Sequence, residues 1–268
     1  MARKVKVYDV KGSAVKEITL PSVFDRPYRS DLIKRAFLAL MSHLRQPYGA
    51  DPMAGKRTSA EYRGRRRDYG SWANRGLHRT KRIRVGSGHM TGVVRFVPQA
   101  VKGRRAHPPL AEKVWYQEIN KKERVLAILS AIAGSSLKDF VSRVHRINEL
   151  DVPVVVEDAL DTVAKTKELE MFLRKIGLEE ELDRIKEKKV RAGKGKLRGR
   201  RYKKKKGPLI VTANPSSALF KSAPNLGIDV VYYDHLNIGH LSPSGKYPRL
   251  VIYTEGALEK IKEKYGGI

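Results

Sequence analysis

The sequence contains no cysteine. Disulfides and thiolate metal sites are thereby excluded, and a reducing compartment fits. No stretch approaches the ~20 consecutive apolar residues that a membrane helix needs. The opening residues, MARKVKVYDV, hold no apolar run of signal-peptide length. The expectation is a cytoplasmic protein. Acid is scarce too: 28 Asp and Glu face 56 Lys and Arg, a net charge of +28. Such an imbalance opposes compaction unless a polyanion neutralises it. Nucleic acid and anionic membrane are the candidates. Yet 41% of the residues are hydrophobic, enough for a core, so the chain is not a disordered basic tail.

What is present is unevenly spread. Residues 45–112 hold 16 Lys and Arg against 4 acids. Residues 186–206 hold 13 against one, Glu187. Each segment nets +12, and the remaining 179 residues net only +4. The chain reads as a near-neutral globule with two basic appendages.

Periodicity places the elements of that globule. KVKVYD at residues 4–9 alternates as a strand, and residues 14–20 offer a hairpin partner. Ser30 and Asp31 predict an N-cap for a helix carrying Leu32, Ile33, Ala36, Phe37, Leu40, Met41 and Leu44. Residues 123–133 (ERVLAILSAIA) form a second helix, and Ser135 and Ser136 predict the cap of a short third one. Helices are expected over 162–176 and 178–189, and another from Asn214 through Phe220. Residues 152–156, 209–213, 230–233 and 250–254 are apolar runs that read as buried strands, the last followed by a helix over 255–264. Apolar strands alternating with helices argue for a three-layer α/β domain with a mostly parallel central sheet. That domain is expected to comprise residues 1–44 and 113–268. Residues 45–112 carry neither period and are broken by nine glycines. They are expected to be a long basic extended loop inserted into the domain, ordered only on its ligand. Residues 194–206 read as a solvated basic run within the second basic segment, 186–206.

Residues 62–84, YRGRRRDYGSWANRGLHRTKRIR, show what that ligand is. Arginine binds phosphate through paired donors and stacks on bases. Aromatic rings offer platforms to unpaired bases, and glycines let the backbone approach phosphates. This combination suits folded RNA. The candidate contacts in the loop are Lys56, Arg57, Arg63, Arg65, Arg66, Arg67, Arg75, Arg79, Lys81, Arg82, Arg84, Arg95, Lys102, Arg104 and Arg105, with Tyr62, Tyr69 and Trp72 as stacking platforms. The second segment, RAGKGKLRGRRYKKKK, adds Arg191, Lys194, Lys196, Arg198, Arg200, Arg201, Lys203 and Lys204. Without Trp or Phe, and with Leu197 as its single leucine, it has no amphipathic membrane face.

Other chemistries find little support. GSGHMTG at 86–92 and GKG at 193–195 have neither Walker A nor dinucleotide spacing. The seven histidines are scattered without ligand spacing, so no metal or cofactor is expected. Asp9, Glu157, Asp158 and Asp234 lie near strand ends, where an α/β enzyme keeps its carboxylates, but caps and turns account for them. An architectural DNA-binding protein and an RNA-metabolism enzyme on the same frame are the alternatives.

At residues 65–84 (RRRDYGSWANRGLHRTKRIR), 86–92 (GSGHMTG), 154–158 (VVVED) and 191–198 (RAGKGKLR), the chain resembles large-subunit ribosomal protein four in its archaeal and eukaryotic form. The likeness covers nearly the whole chain. It implies a structural component of the large ribosomal subunit, without catalytic activity, that binds ribosomal RNA and supports assembly. It also implies that the loop tip, with Arg79, Lys81, Arg82, Arg84, Gly86, Gly88 and His89, lines the polypeptide exit tunnel. The implied partners are large-subunit ribosomal RNA, neighbouring ribosomal proteins and the nascent peptide.

Overall fold

The computed structural model describes residues 3–84, 88–147 and 150–266. In chain order the strands and helices are β1 (Lys4–Tyr8), β2 (Ala14–Thr19), α1 (Ser30–His43), β3 (Ala60–Glu61), β4 (Arg82–Ile83), α2 (Lys121–Gly134), α3 (Lys138–Val141), β5 (Val154–Val156), α4 (Thr166–Lys175), α5 (Glu179–Lys186), β6 (Lys188–Val190), β7 (Tyr202–Lys204), β8 (Leu209–Thr212), α6 (Leu219–Ser222), β9 (Asp229–Tyr232), α7 (Ile238–Leu241), β10 (Val251–Thr254) and α8 (Glu255–Tyr265). Six strands form one sheet in the order β2-β1-β5-β10-β8-β9. The neighbours from β1 to β9 run parallel, and β2 closes the edge as an antiparallel hairpin with β1.

Strand alternation divides the core in two. Val7, Val155, Val211, Val251 and Tyr253 point to one face and pack with residues of α1, α2 and α8. Val154, Val156, Ile210 and Ile252 point to the other and pack with α4 and α5. A parallel sheet buried on both faces needs strands that are apolar throughout, and β5, β8 and β10 are buried at every position. The α/β architecture with a mostly parallel sheet is the one the apolar runs predict.

Several boundaries differ from the sequence expectation, each for a local reason. Ser30 is the first residue of α1, and the N-cap position belongs to Arg29. The Arg29 N–H is met by the Ser130 hydroxyl at 2.6 Å instead. Ser135 and Ser136 donate back to the Ile132 and Ala133 carbonyls, and Leu137 precedes α3. The helix expected from residue 162 begins at Thr166, because Asp158–Thr162 is a 3-10 turn. The Asp161 carboxylate in that turn accepts hydroxyl hydrogen bonds from Thr212 and Ser217 at 2.7 and 2.9 Å. The helix expected through 189 stops at Lys186, and the one expected from Asn214 starts at Leu219.

The chain divides into two compact units, Arg45–Tyr116 and the remainder. Among the described residues, Ile83 is the one buried hydrophobic side chain of Arg45–Tyr116. That unit is built from turns, and among its described residues regular structure is confined to the β3–β4 pair and a 3-10 turn at Gly88–Met90. Within the larger unit, the Gln117 N–H bonds to the Ser42 hydroxyl at 2.9 Å, and the His43 ring lies 3.1 Å from the Gln117 carbonyl. The two ends from which Arg45–Tyr116 departs are therefore adjacent.

Candidate nucleic-acid interface

Arg45–Tyr116 presents its cations in two states. Lys56, Arg57, Arg65, Arg66, Arg67, Arg75, Arg79, Arg84, Lys102 and Arg105 are exposed. Arg63, Lys81, Arg82, Arg95 and Arg104 are half-buried. The half-buried group is partly spent on the segment itself. Arg95 donates to the Val101 carbonyl at 2.7 Å, and Arg82 to the Gly92 carbonyl at 2.9 Å. The Lys81 ammonium sits 3.9 Å from the centre of the Phe96 ring. Among the described residues, only Arg57 and Arg63 of these cations pair with a carboxylate, Asp51 and Glu61 respectively. The rest carry their charge unneutralised. Tyr69 is 91% exposed, and half of the Tyr62 surface is open, so both rings can receive a base. Trp72 is half-buried, and its backbone N–H bonds to the Arg63 carbonyl at 2.9 Å. Of the expected tip residues, Arg79, Arg84 and His89 are exposed. Gly86 lies outside the described residues.

The ends of this unit hold an arrangement that the sequence pattern did not disclose. Tyr48 and Trp115 stack with ring centres 5.3 Å apart, and the Arg45 guanidinium lies 3.8 Å above the indole. The Ala50 N–H reaches the Pro109 carbonyl at 2.9 Å. Only the pairing of two aromatics flanking a long basic run could have hinted at it.

The second basic segment is a hairpin, not a solvated run. β6 and β7 pair antiparallel, with Lys188 opposite Lys204, Lys189 opposite Lys203 and Val190 opposite Tyr202. Gly193 and Gly199, both at positive φ, bracket a 3-10 turn at Lys194–Arg198. Glycine adopts that left-handed geometry at no steric cost. Lys194, Lys196, Arg198, Arg200, Arg201, Lys203 and Lys204 are exposed and Arg191 is half-buried. Arg191 braces the turn through its Nε–H to the Arg200 carbonyl at 3.1 Å.

The hairpin is rooted in a buried charge network. Glu181 is wholly buried and lies 2.6 Å from the His145 ring, 2.6 Å from Arg184 and 3.0 Å from the Arg146 backbone N–H. Arg184 also donates to the Lys206 carbonyl at 2.6 Å. Lys206 and Arg249 meet the Asp229 carboxylate at 3.1 and 2.8 Å, and Arg249 holds the Gly207 and Pro208 carbonyls. Burial pushes the His145 imidazole below its ordinary value, and the Arg184 and Arg249 charges push the same way. Burial alone would raise Glu181, but hydrogen bonds from Arg184 and His145 outweigh it and hold the carboxyl low. Neutral His145 therefore gives its Nδ1 proton to ionised Glu181. The network joins groups far apart in sequence, so no local motif announces it.

Three of the four strand-end carboxylates hold the fold together. Asp158 accepts the Gly256 N–H at 2.9 Å, Asp9 the Val10 N–H at 2.6 Å, and Asp234 pairs with Lys264 at 2.5 Å. No group of three His, Cys, Asp or Glu able to hold a metal exists among the described residues, and none of their helices is long and apolar enough to cross a membrane.

Residues 18–264 match the ribosomal protein L4/L1 family, and the chain belongs to that family. It is 47% identical over 264 residues to large ribosomal subunit protein uL4 of Nanoarchaeum equitans, covering 97% of this chain and 98% of that protein. The uL4 proteins of Methanocaldococcus jannaschii and Methanosphaera stadtmanae are 43% and 41% identical over 264 and 265 residues. Each match covers 98% of this chain, and 99% and 97% of those proteins respectively.

Proposed function

We propose that this protein is a structural component of the cytoplasmic large ribosomal subunit and binds its RNA through residues 45–112 and 186–206. The observation that carries the reading is the row of exposed arginines without carboxylate partners, interleaved with the open rings of Tyr62 and Tyr69. Polyphosphate neutralises the charge, and unpaired bases cover the rings. In this reading residues 45–112 are an extended loop that penetrates the RNA, and the β6–β7 hairpin is a second anchor. Neighbouring ribosomal proteins complete its surroundings, and the protein supports assembly.

The tip of the loop faces the exit tunnel and the nascent peptide. Exposed Arg79, Arg84 and His89 are the side chains available for that contact. The absence of native cysteine makes the reading testable. Arg84→Cys or His89→Cys gives a unique thiol that crosslinks to a stalled nascent chain, whereas Lys175→Cys on α4 does not. The wild-type chain is expected to sediment with large subunits through a high-salt wash. Recovery in the soluble fraction would overturn the assignment.

A further inference from the structure

A small polar cavity inside Arg45–Tyr116 carries an inference that rests on the RNA-binding reading and sharpens it. The cavity has a volume of about 240 Å³, and its wall includes Tyr62, Trp72, Asn74, Arg75, Arg79, Thr80 and Arg82. We propose that it receives the base of one unpaired ribosomal RNA nucleotide, with Arg75 and Arg79 on the flanking phosphates.

The volume is comparable with that of a single nucleotide. The wall chemistry then decides between base and phosphate. A phosphate presents acceptors alone and would need a lining of donors alone. Asn74 and Thr80 each bring an acceptor as well as a donor. A base edge presents both, and the Trp72 and Tyr62 rings offer it apolar faces. Two groups on the wall have no partner among the described atoms: the buried Thr80 hydroxyl and the buried Arg82 Nε–H. Buried polar groups are ordinarily satisfied, and a base edge that opens this wall on entry can satisfy them. Arg75 and Arg79, exposed and unpaired with any described carboxylate, remain for the backbone of the same nucleotide.

The cavity is shaped before anything enters it. Asn74 sits at φ +61°, a left-handed conformation that Asn tolerates better than most residues. A side chain at Gly64 would place its Cβ 1.9 Å from the Tyr62 hydroxyl, so only glycine lets Tyr62 lie where it does. Arg82 is fixed by the Gly92 and His78 carbonyls at 2.9 and 3.5 Å. Strained backbone is characteristic of ligand clamps.

The test is chemical probing of a large-subunit ribosomal RNA transcript with the full-length chain, using reagents that modify the Watson–Crick edges of unpaired bases. The wild-type chain is expected to protect one unpaired base within a wider footprint. Trp72→Leu and the near-isosteric Thr80→Val should raise the reactivity of that base, by roughly tenfold for the loss of stacking, and leave the wider footprint in place. If both variants protect every base as the wild type does, the cavity holds no base and the proposal fails. It fails also if Trp72→Leu loses the whole footprint while Thr80→Val keeps it all, since Trp72 would then serve only the fold. Absence of any footprint from the wild-type chain would instead sink the RNA-binding reading itself.

Discussion

Residues 45–112 and residues 186–206 carry the same net charge of +12, the first over 68 residues and the second over 21. They are held in different ways. The longer segment keeps its shape through backbone turns, arginines bonded to carbonyls and an aromatic stack at its ends, with one buried hydrophobic residue. The shorter one is a strand pair whose root is gripped by Arg184, Arg249 and Asp229. The hairpin thus draws on the stability of the α/β unit, whereas the long segment has no comparable charge network at its root. A charge run projected from a packed network can hold one geometry in the free protein. A charge run made of turns has no such root and rests on its own backbone hydrogen bonds.

The sharpest way to break this contrast is to remove the root of the hairpin. Glu181→Ala leaves Arg184 without its counter-charge and the His145 Nδ1–H without its acceptor in a buried site. Losing one partner of such a network costs about 3–5 kcal/mol. Thermal unfolding of the α/β unit is expected to fall by on the order of 10 °C. Arg65→Gln in the turn-built segment should leave the unfolding temperature unchanged. Equal effects from the two variants would erase the distinction. Differential scanning calorimetry measures both.

Acid tests the same root more gently. The folded protein holds His145 below its ordinary value, so the unfolded chain binds a proton there first. The stability this contributes is complete above the ordinary histidine value of about 6.5 and is lost as the pH falls below it. Glu181 and Asp229, also held low, lose theirs only nearer the carboxylate range of about 4. Stability to urea is therefore expected to fall between about pH 7 and pH 5, with His145 contributing up to ~1.4 kcal/mol per pH unit beside His240, which burial also holds low. His145→Gln, which keeps a donor for Glu181, should flatten that part of the curve. An unchanged slope in the variant would remove His145 from the account.

How much of this was legible in the sequence depends on what each element is made of. β5, β8 and β10 announce themselves, because a strand buried on both faces must be an apolar run. The exposure of Arg65, Arg66 and Arg67 was equally plain from their charge density, but the half-burial of Arg63, Lys81, Arg82, Arg95 and Arg104 was not. β6 and β7 were not, because Val190 is their one aliphatic side chain and their register pairs lysine with lysine. Nothing in such a pattern distinguishes a hairpin from a solvated run. The determinants lie elsewhere, in Gly193, in Gly199 and in ion pairs between residues 18 and 23 positions apart. The cavity at Trp72 was half legible. Tyr62, Trp72 and the arginines stood out as an RNA-binding set, but their convergence with Asn74 and Thr80 requires the turn geometry.

The lysine pairing leads to the smallest expected effect and the one that most directly compares the two segments. Like charges directly opposed across strands are destabilising, and Lys188 and Lys189 face Lys204 and Lys203. Intrinsic hairpin stability does not favour that pairing, whereas a polyanion laid along the strands would use it. Replacing Lys203 and Lys204 with Gln should thus slightly stabilise the hairpin in the free protein while weakening RNA binding. Lysine holds phosphate as a point charge with little directional demand. The loss should therefore fall equally on cognate ribosomal RNA and on random RNA. The slope of log affinity against log salt should drop by roughly 0.7–0.9 for each phosphate contact removed. Replacing Arg65, Arg66 and Arg67 should act otherwise, since arginine pairs and stacks with direction: the preference for cognate over random RNA should shrink. Filter binding across a salt series measures slope and preference together. Lysine variants that abolish the preference, beside arginine variants that spare it, would reverse the roles assigned to the two segments.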